Sequence, residues 1–246
     1  MKRFPLAAQP SLSIFALSLI LAINAISCRS DDQASEANVI VGKNDLQFYL
    51  NDNQWSKAIG RMMYGCTVTH IGNGYVITAG HCVSNRDDCS TNDDFLVRWA
   101  DLIGRPEPAK EELSRCIEVI AVEQTALKDY AILRYDNVPD ESLRVNLAGD
   151  VEYGDQLTIL SHPLNQPLST SGPCQSLGNY KGSNMLSYDC DTQGGSSGAA
   201  VLNERMEVVA IHSIGSNFYE ANAGTDVKRI LVWDLVEGVE FIRKKD

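Results

Sequence analysis

The sequence predicts an all-β chain, a barrel or a sandwich, that closes on one C-terminal helix, and three observations carry that expectation. Short apolar or alternating runs recur along it, each bounded by Gly, Asn or Asp: Val68 to Ile71, Gly74 to Ala79, Phe95 to Trp99, Ile117 to Val122, Tyr130 to Tyr135, Gln156 to Ser161, Ala199 to Leu202 and Val208 to His212. Between these runs there is no helical segment of about 10–15 residues, which a βαβ fold would require. At the end, Trp233, Leu235, Val236, Val239 and Ile242 fit a period of about 3.6 residues that closes in Arg243-Lys244-Lys245, cations suited to a last helical turn.

Taken in order, the chain opens with Lys2 and Arg3 ahead of an apolar run from about Leu12 to Ile26 that ends in small residues, the layout of a secretory signal over residues 1–28. Ala25-Ile26-Ser27-Cys28 also has the outline of a bacterial lipobox, so Cys28 is either a lipid anchor and membrane tether or is lost with the signal. Both outcomes take the protein out of the cytoplasm. Residues 29–38 are polar, without apolar period, and read as a tether or propeptide. The folded domain is expected to span 39–246, with neither an internal repeat nor a second domain.

Loss of residues 1–28 would deepen the formal net charge from −11 to −13, because Lys2 and Arg3 leave and no acid does. A chain this acidic is no partner for nucleic acid. Beyond Cys28 there are six cysteines, Cys66, Cys82, Cys89, Cys116, Cys174 and Cys190. An even number in an exported chain points to three disulfides, and the spacing alone leaves the pairing open. No Cys-x-x-Cys occurs, so no metal site is expected.

The chemistry centres on Asp191-Thr192-Gln193-Gly194-Gly195-Ser196-Ser197-Gly198. A serine hydroxyl attacks carbonyls poorly unless a base takes its proton and preorganised donors meet the oxyanion. Ser197 suits that role. Gly195, two residues before it, is free to aim its N–H beside that of Ser197, and Gly198 leaves room for substrate. Ser196 lacks a following glycine. Thr78-Ala79-Gly80-His81-Cys82 and Lys128-Asp129-Tyr130-Ala131-Ile132-Leu133 supply a base and a carboxylate to orient it, which gives the order His, Asp, Ser at separations of 48 and 68 residues. His70 reads as an ordinary core or surface histidine, and His162, before Pro163, as a turn residue.

These three motifs resemble those of the chymotrypsin-like serine peptidases over most of the chain from Val39 onward. The resemblance implies two six-stranded antiparallel β-barrels, the trypsin-like double barrel, with His81 and Asp129 from the first and Ser197 from the second. It implies an oxyanion hole at Gly195 and Ser197, acyl-enzyme chemistry without a cofactor, protein or peptide substrates, and a monomer. The family's histidine-loop disulfide corresponds to Cys66–Cys82, and proximity along the chain then joins Cys89 to Cys116 and Cys174 to Cys190. The segment Ser213-Ile214-Gly215 resembles the family's substrate-pairing strand.

The bacterial branch typified by staphylococcal V8 protease, the glutamyl endopeptidases, is the more similar. Ala37-Asn38-Val39-Ile40-Val41-Gly42 looks like its maturation point, with Val39 as the new N-terminus. Ser196 stands where the animal enzymes have the aspartate that receives that terminus, so the resemblance does not carry their activation mechanism over. Thr192 and His212, five before and fifteen after Ser197, match the branch's pocket residues and imply a preference for Glu before the scissile bond, with the Val39 amino group contributing. A non-catalytic binding protein on this fold, which would have lost triad residues that this chain keeps, and an esterase are the alternatives.

Overall fold

A short strand leaves its backbone N–H and C=O groups to its neighbours, so strands become stable only in sheets. The computed structural model describes residues 40–83, 88–179, 183, 185–216 and 221–244, all within a unit spanning Ser35–Asp246. The expected signal, Cys28, the tether and Val39 lie outside the described residues.

The chain opens with β1 (Gln47–Phe48) and a one-turn helix α1 (Gln54–Lys57). Asn53 caps that helix: its side chain accepts from Trp55 and Ser56 N–H, and Ser56 Oγ accepts from Asn53 N–H. The first sheet takes β2 (Ile59–Met62), β3 (Thr67–Gly72), β4 (Tyr75–Thr78), β5 (Val97–Trp99), β6 (Cys116–Thr125) and β7 (Lys128–Tyr135) in the order β5-β2-β3-β4-β7-β6. A bridge between Val97 and Ser114 brings its two edges together.

The second sheet contains β8 (Val145–Asn146), β9 (Gln156–Ser161), β10 (Ser169–Asn179), β11 (Met185–Tyr188), β12 (Ala200–Asn203), β13 (Val208–Ser216), β14 (Ala221–Asp226) and β15 (Phe241–Ile242). Its strands run β12-β9-β10-β11-β14-β13, and pairing of β12 with β13 closes that ring of six. Strands β8 and β15 extend it in parallel from β13, and β1 pairs with β10.

One apolar cluster fills the first barrel around Val68, Val76, Phe95 and Leu133, and another fills the second around Leu157, Ile159, Tyr188 and Val201. A third runs between them, joining Ile59, Ile77 and Ile132 to Leu160, Leu202 and Ile211. Each such side chain contributes about 1.5–3 kcal/mol of burial, so the seam that will carry the site is as apolar as the barrels themselves. Disulfides join Cys66 to Cys82, Cys89 to Cys116 and Cys174 to Cys190, which places the chain in an oxidising compartment.

Each of the eight runs marked in the sequence contains a strand, whereas β10 and β14 carry little apolar signal. In β10, Pro173 falls in a register shift between Ser171 and Cys174, where a missing N–H breaks no ladder. In β14, a Cβ on Gly224 would overlap the Ile211 carbonyl, so the crossing tolerates only small residues.

Among the described residues the expected C-terminal α-helix is absent. Trp233–Leu235 forms one 3-10 turn, Val236 is extended, and Phe241–Ile242 pairs with Val145–Asn146. Trp233 and Val236 pack on the core from this single turn: Trp233 is buried with Nε1 donating to the Val227 carbonyl, and its ring lies 5.3 Å from that of Phe241. Asn73 Nδ2 donates to the Glu237 carbonyl at 2.7 Å and ties the segment to the first barrel. A period of 3.6 arose here from core contacts, and β-branched Val232, Val236, Val239 and Ile242 add little helical preference to oppose them.

Three of the four histidines, His70, His162 and His212, are buried. Burial holds all three below the ordinary imidazole range, His162 down to about 4 and His212 to about 3. An unfolded chain takes up these protons near pH 6.5, the folded one at lower pH, for His162 and His212 well below it. Stability is therefore complete above pH 6.5 and drains away as pH falls toward 4, by on the order of 3 kcal/mol for a group such as His162. Urea midpoints should fall from pH 7 to pH 4.5, and His162→Gln should flatten that fall. A midpoint constant over this range would contradict neutral burial.

Candidate active site

The turn from Gln193 to Gly198 is shaped by what surrounds it. Gly198 has φ +85°, and a Cβ there would overlap Thr78 Oγ1 and the Thr67 carbonyl and lie 2.9 Å from Ala79 N. Only a glycine lets the turn sit against the Ala79–His81 segment of the first barrel. Gly195, φ +91°, is held as tightly: its Cβ would stand 2.5 Å from the His162 carbonyl and 3.0 Å from that of Gly65. Ser197 lies between the barrels, its carbonyl accepting from Thr67 N–H at 2.9 Å while the next N–H, of Gly198, donates to the His212 carbonyl at 2.8 Å.

Both serines are buried, and they differ in how completely. Ser196 is fully buried, with Oγ 3.0 Å from Ser161 Oγ and accepting from Gln193 N–H at 3.3 Å. Ser197 keeps 6% exposure. Ser196 thus stabilises the turn from within.

His81 stands on the 3-10 turn Gly80–Cys82 that follows β4. Asp129, on β7, receives it with both oxygens: Oδ1 accepts from His81 N–H at 2.8 Å and Oδ2 lies 2.6 Å from His81 Nδ1. A carboxylate oxygen is an acceptor, so Nδ1 carries the proton and Nε2 is left basic. Asp129 is buried, and Thr225 of the second barrel takes its N–H at 2.8 Å and donates to its carbonyl. Gly80 permits the approach, since a Cβ there would overlap the Glu123 carbonyl and crowd Asp129 Oδ1. One His81 ring nitrogen and the sulfurs of Cys66 and Cys82 lie within 4.8 Å of one another, but a disulfide has no thiolate for a metal.

Thr192 and His212 are both buried nearby. His212 Nδ1 lies 2.7 Å from the hydroxyl of Tyr188, a fully buried phenol whose pKa burial raises, so it stays protonated. Thr192 Oγ1 donates to Asn222 Oδ1 at 2.8 Å, and Asn222 Nδ2 donates to the Cys190 carbonyl at 2.6 Å. Tyr188 and Asn222 were not singled out in the sequence, because β11 and β14 place them and neither belongs to a motif. Ser213 falls at a register shift in β13 and its buried Oγ has no hydrogen-bond partner, whereas Gly215 pairs with Asn222. Asp191 was also missed. Its carboxylate accepts from Val41 and Asp45 N–H, each at 2.7 Å, which ties the segment just after the expected new N-terminus to the residue preceding Thr192.

The family model described as a trypsin-like peptidase domain matches residues 65–211. No curated protein matches the chain. Among solved structures, a Glu endopeptidase in complex with MPD is 18% identical with a TM-score of 0.61, covering 80% of this chain and 97% of its own. A serine endoprotease from Yersinia pestis is 16% identical with a TM-score of 0.54, covering 73% of this chain and 64% of its own. At such identities the likeness is one of fold.

Asp129→Asn is expected to leave the fold intact, place an amide against His81 Nδ1 and favour the wrong tautomer. Steady-state hydrolysis of a peptide should then slow by about four orders of magnitude, and a loss below about tenfold would remove Asp129 from the site.

Proposed function

The chain belongs to the trypsin-like peptidase family and is a serine endopeptidase, and from that premise we propose that Ser197 is its nucleophile, His81 the general base and Asp129 the group that orients the base. The observation that carries this reading is the pair of Asp129 contacts to His81, 2.8 and 2.6 Å, on a turn against which Gly198 is packed. His81 Nε2 takes the Ser197 proton as Oγ attacks the scissile carbonyl, and Asp129 stabilises the imidazolium. The N–H groups of Gly195 and Ser197 receive the oxyanion, each such donor being worth about 10²–10³ in rate. His81 then protonates the leaving amine, and water releases the acyl group by the same path reversed.

The pocket chemistry favours a carboxylate before the scissile bond. Tyr188 donates to His212 Nδ1, so Nε2 carries a proton that a substrate carboxylate accepts. With a pKa of about 3, His212 acts as a neutral donor. The Thr192 proton is directed at Asn222 Oδ1, and Asn222 is itself oriented by the Cys190 carbonyl. A rotation of the Thr192 hydroxyl turns its proton to the ligand. Asp191, which would otherwise draw a basic side chain, has both oxygens taken by Val41 and Asp45 N–H. On this reading the enzyme falls in the glutamyl branch, Val39 adds its α-amino group after cleavage of the Asn38–Val39 bond, and the protein acts outside the cytoplasm, released or tethered at Cys28. Ser213 and Gly215 pair with the substrate backbone.

A cleavage-site profile on a peptide library should show Glu, and less strongly Asp, before the cut. His212→Ala should depress kcat/KM far more for a Glu substrate than for one with Leu there. A wild-type preference for Arg, or equal losses on both substrates, would end the assignment of specificity.

A further inference from the structure

A planar trans peptide points its C=O and N–H in opposite directions. Whatever holds the Gly194 carbonyl therefore decides where the Gly195 N–H aims. The N–H of Leu164 donates to the Gly194 carbonyl at 2.5 Å. Leu164 and Asn165 both have left-handed backbone, φ 51° and 58°, a conformation that costs a non-glycine residue about 1–2 kcal/mol. The turn therefore needs support from outside to keep presenting that N–H.

The support comes largely from the first barrel. Arg61 Nη1 donates to Asn165 Oδ1 at 3.1 Å, and Arg61 Nε donates to Asp101 Oδ2 at 2.6 Å. Arg98 pairs with the other Asp101 oxygen at 3.0 Å, and the Asp101 carbonyl accepts from Leu168 N–H at 2.6 Å just beyond the turn. The Arg61 and Asp101 side chains are only 11% and 5% exposed, so solvent screens their pairing little. Within the turn, His162 Nδ1 donates to the Gln166 carbonyl at 3.0 Å.

We propose that Arg61 and Asn165 are positioning residues for the oxyanion hole: Arg61, fixed by Asp101, holds the 162–166 turn through Asn165, and the turn's Leu164 N–H orients the Gly194–Gly195 peptide. This rests on the reading of Ser197 as nucleophile.

The test uses the full chain with Asn165→Gly, which tolerates the left-handed backbone and deletes the amide, and Asn165→Asp, which keeps an acceptor for Arg61. The side chain is exposed, so neither change empties the core. Asn165→Gly should lower kcat on a peptide amide about 10- to 100-fold, part of what losing a whole donor costs, with KM changed less than about threefold. The inhibition constant of a peptidyl boronic acid, whose tetrahedral adduct occupies the hole, should rise by the same factor, and Asn165→Asp should return both values to within about threefold of wild type. A kcat unchanged in Asn165→Gly, or equal impairment of the two variants, would overturn the proposal. A wild-type chain that cleaves no peptide would overturn the nucleophile reading beneath it and the proposal with it.

Discussion

Everything at the cleft depends on how closely Gly198 approaches the first barrel. With no Cβ, the serine turn of the second barrel rests on Thr67, Thr78 and Ala79, one residue before the turn that carries His81. Hydrogen bonds from Thr67 N–H to the Ser197 carbonyl, and from Thr67 Oγ1 to the Gly195 carbonyl at 2.8 Å, fasten the two barrels at that point. The apolar seam from Ile59 to Ile211 supplies the burial energy but has little directional preference. The glycine contact and its hydrogen bonds set the register in which that energy is collected.

Buried polar groups near the site are paired in ways that divide structural from chemical tasks. Asp129 spends its carboxylate on His81 and its backbone on Thr225, so the residue is tied to both barrels. Ser196 points inward to Ser161, a structural task. Asp191 accepts from the backbone N–H groups of Val41 and Asp45, the kind of pairing that a buried carboxylate needs. Asp45, beside it, has its carboxyl pushed upward in pKa by burial and by Asp191, as two acids in close quarters should. The N-terminal segment is thus joined electrostatically to the loop that carries Thr192.

Much of this was legible in the sequence, for identifiable reasons. His81, Asp129 and Ser197 stand in motifs whose small neighbours answer local steric demands, as Gly80 and Gly198 show. Thr192 and His212 were singled out by their offsets to the serine, and both are buried. Asn222, Tyr188, Arg61 and Asn165 left no such trace, because their contacts join residues far apart along the chain. Strands β10 and β14 were invisible because ladder pairing and close backbone crossing, not apolar alternation, maintain them. The C-terminal segment misled for the converse reason: Trp233 and Val236 face the core at helical spacing without forming a helix.

The central claim is that Ser197, and not its neighbour Ser196, is activated by His81. The most direct test is to treat the folded protein with a fluorophosphonate and locate the adduct by peptide mass spectrometry, with a parallel sample denatured beforehand. The account predicts stoichiometric phosphonylation of Ser197 in the folded protein and none in the denatured one. An adduct on Ser196, or a folded protein left unlabelled, would contradict it.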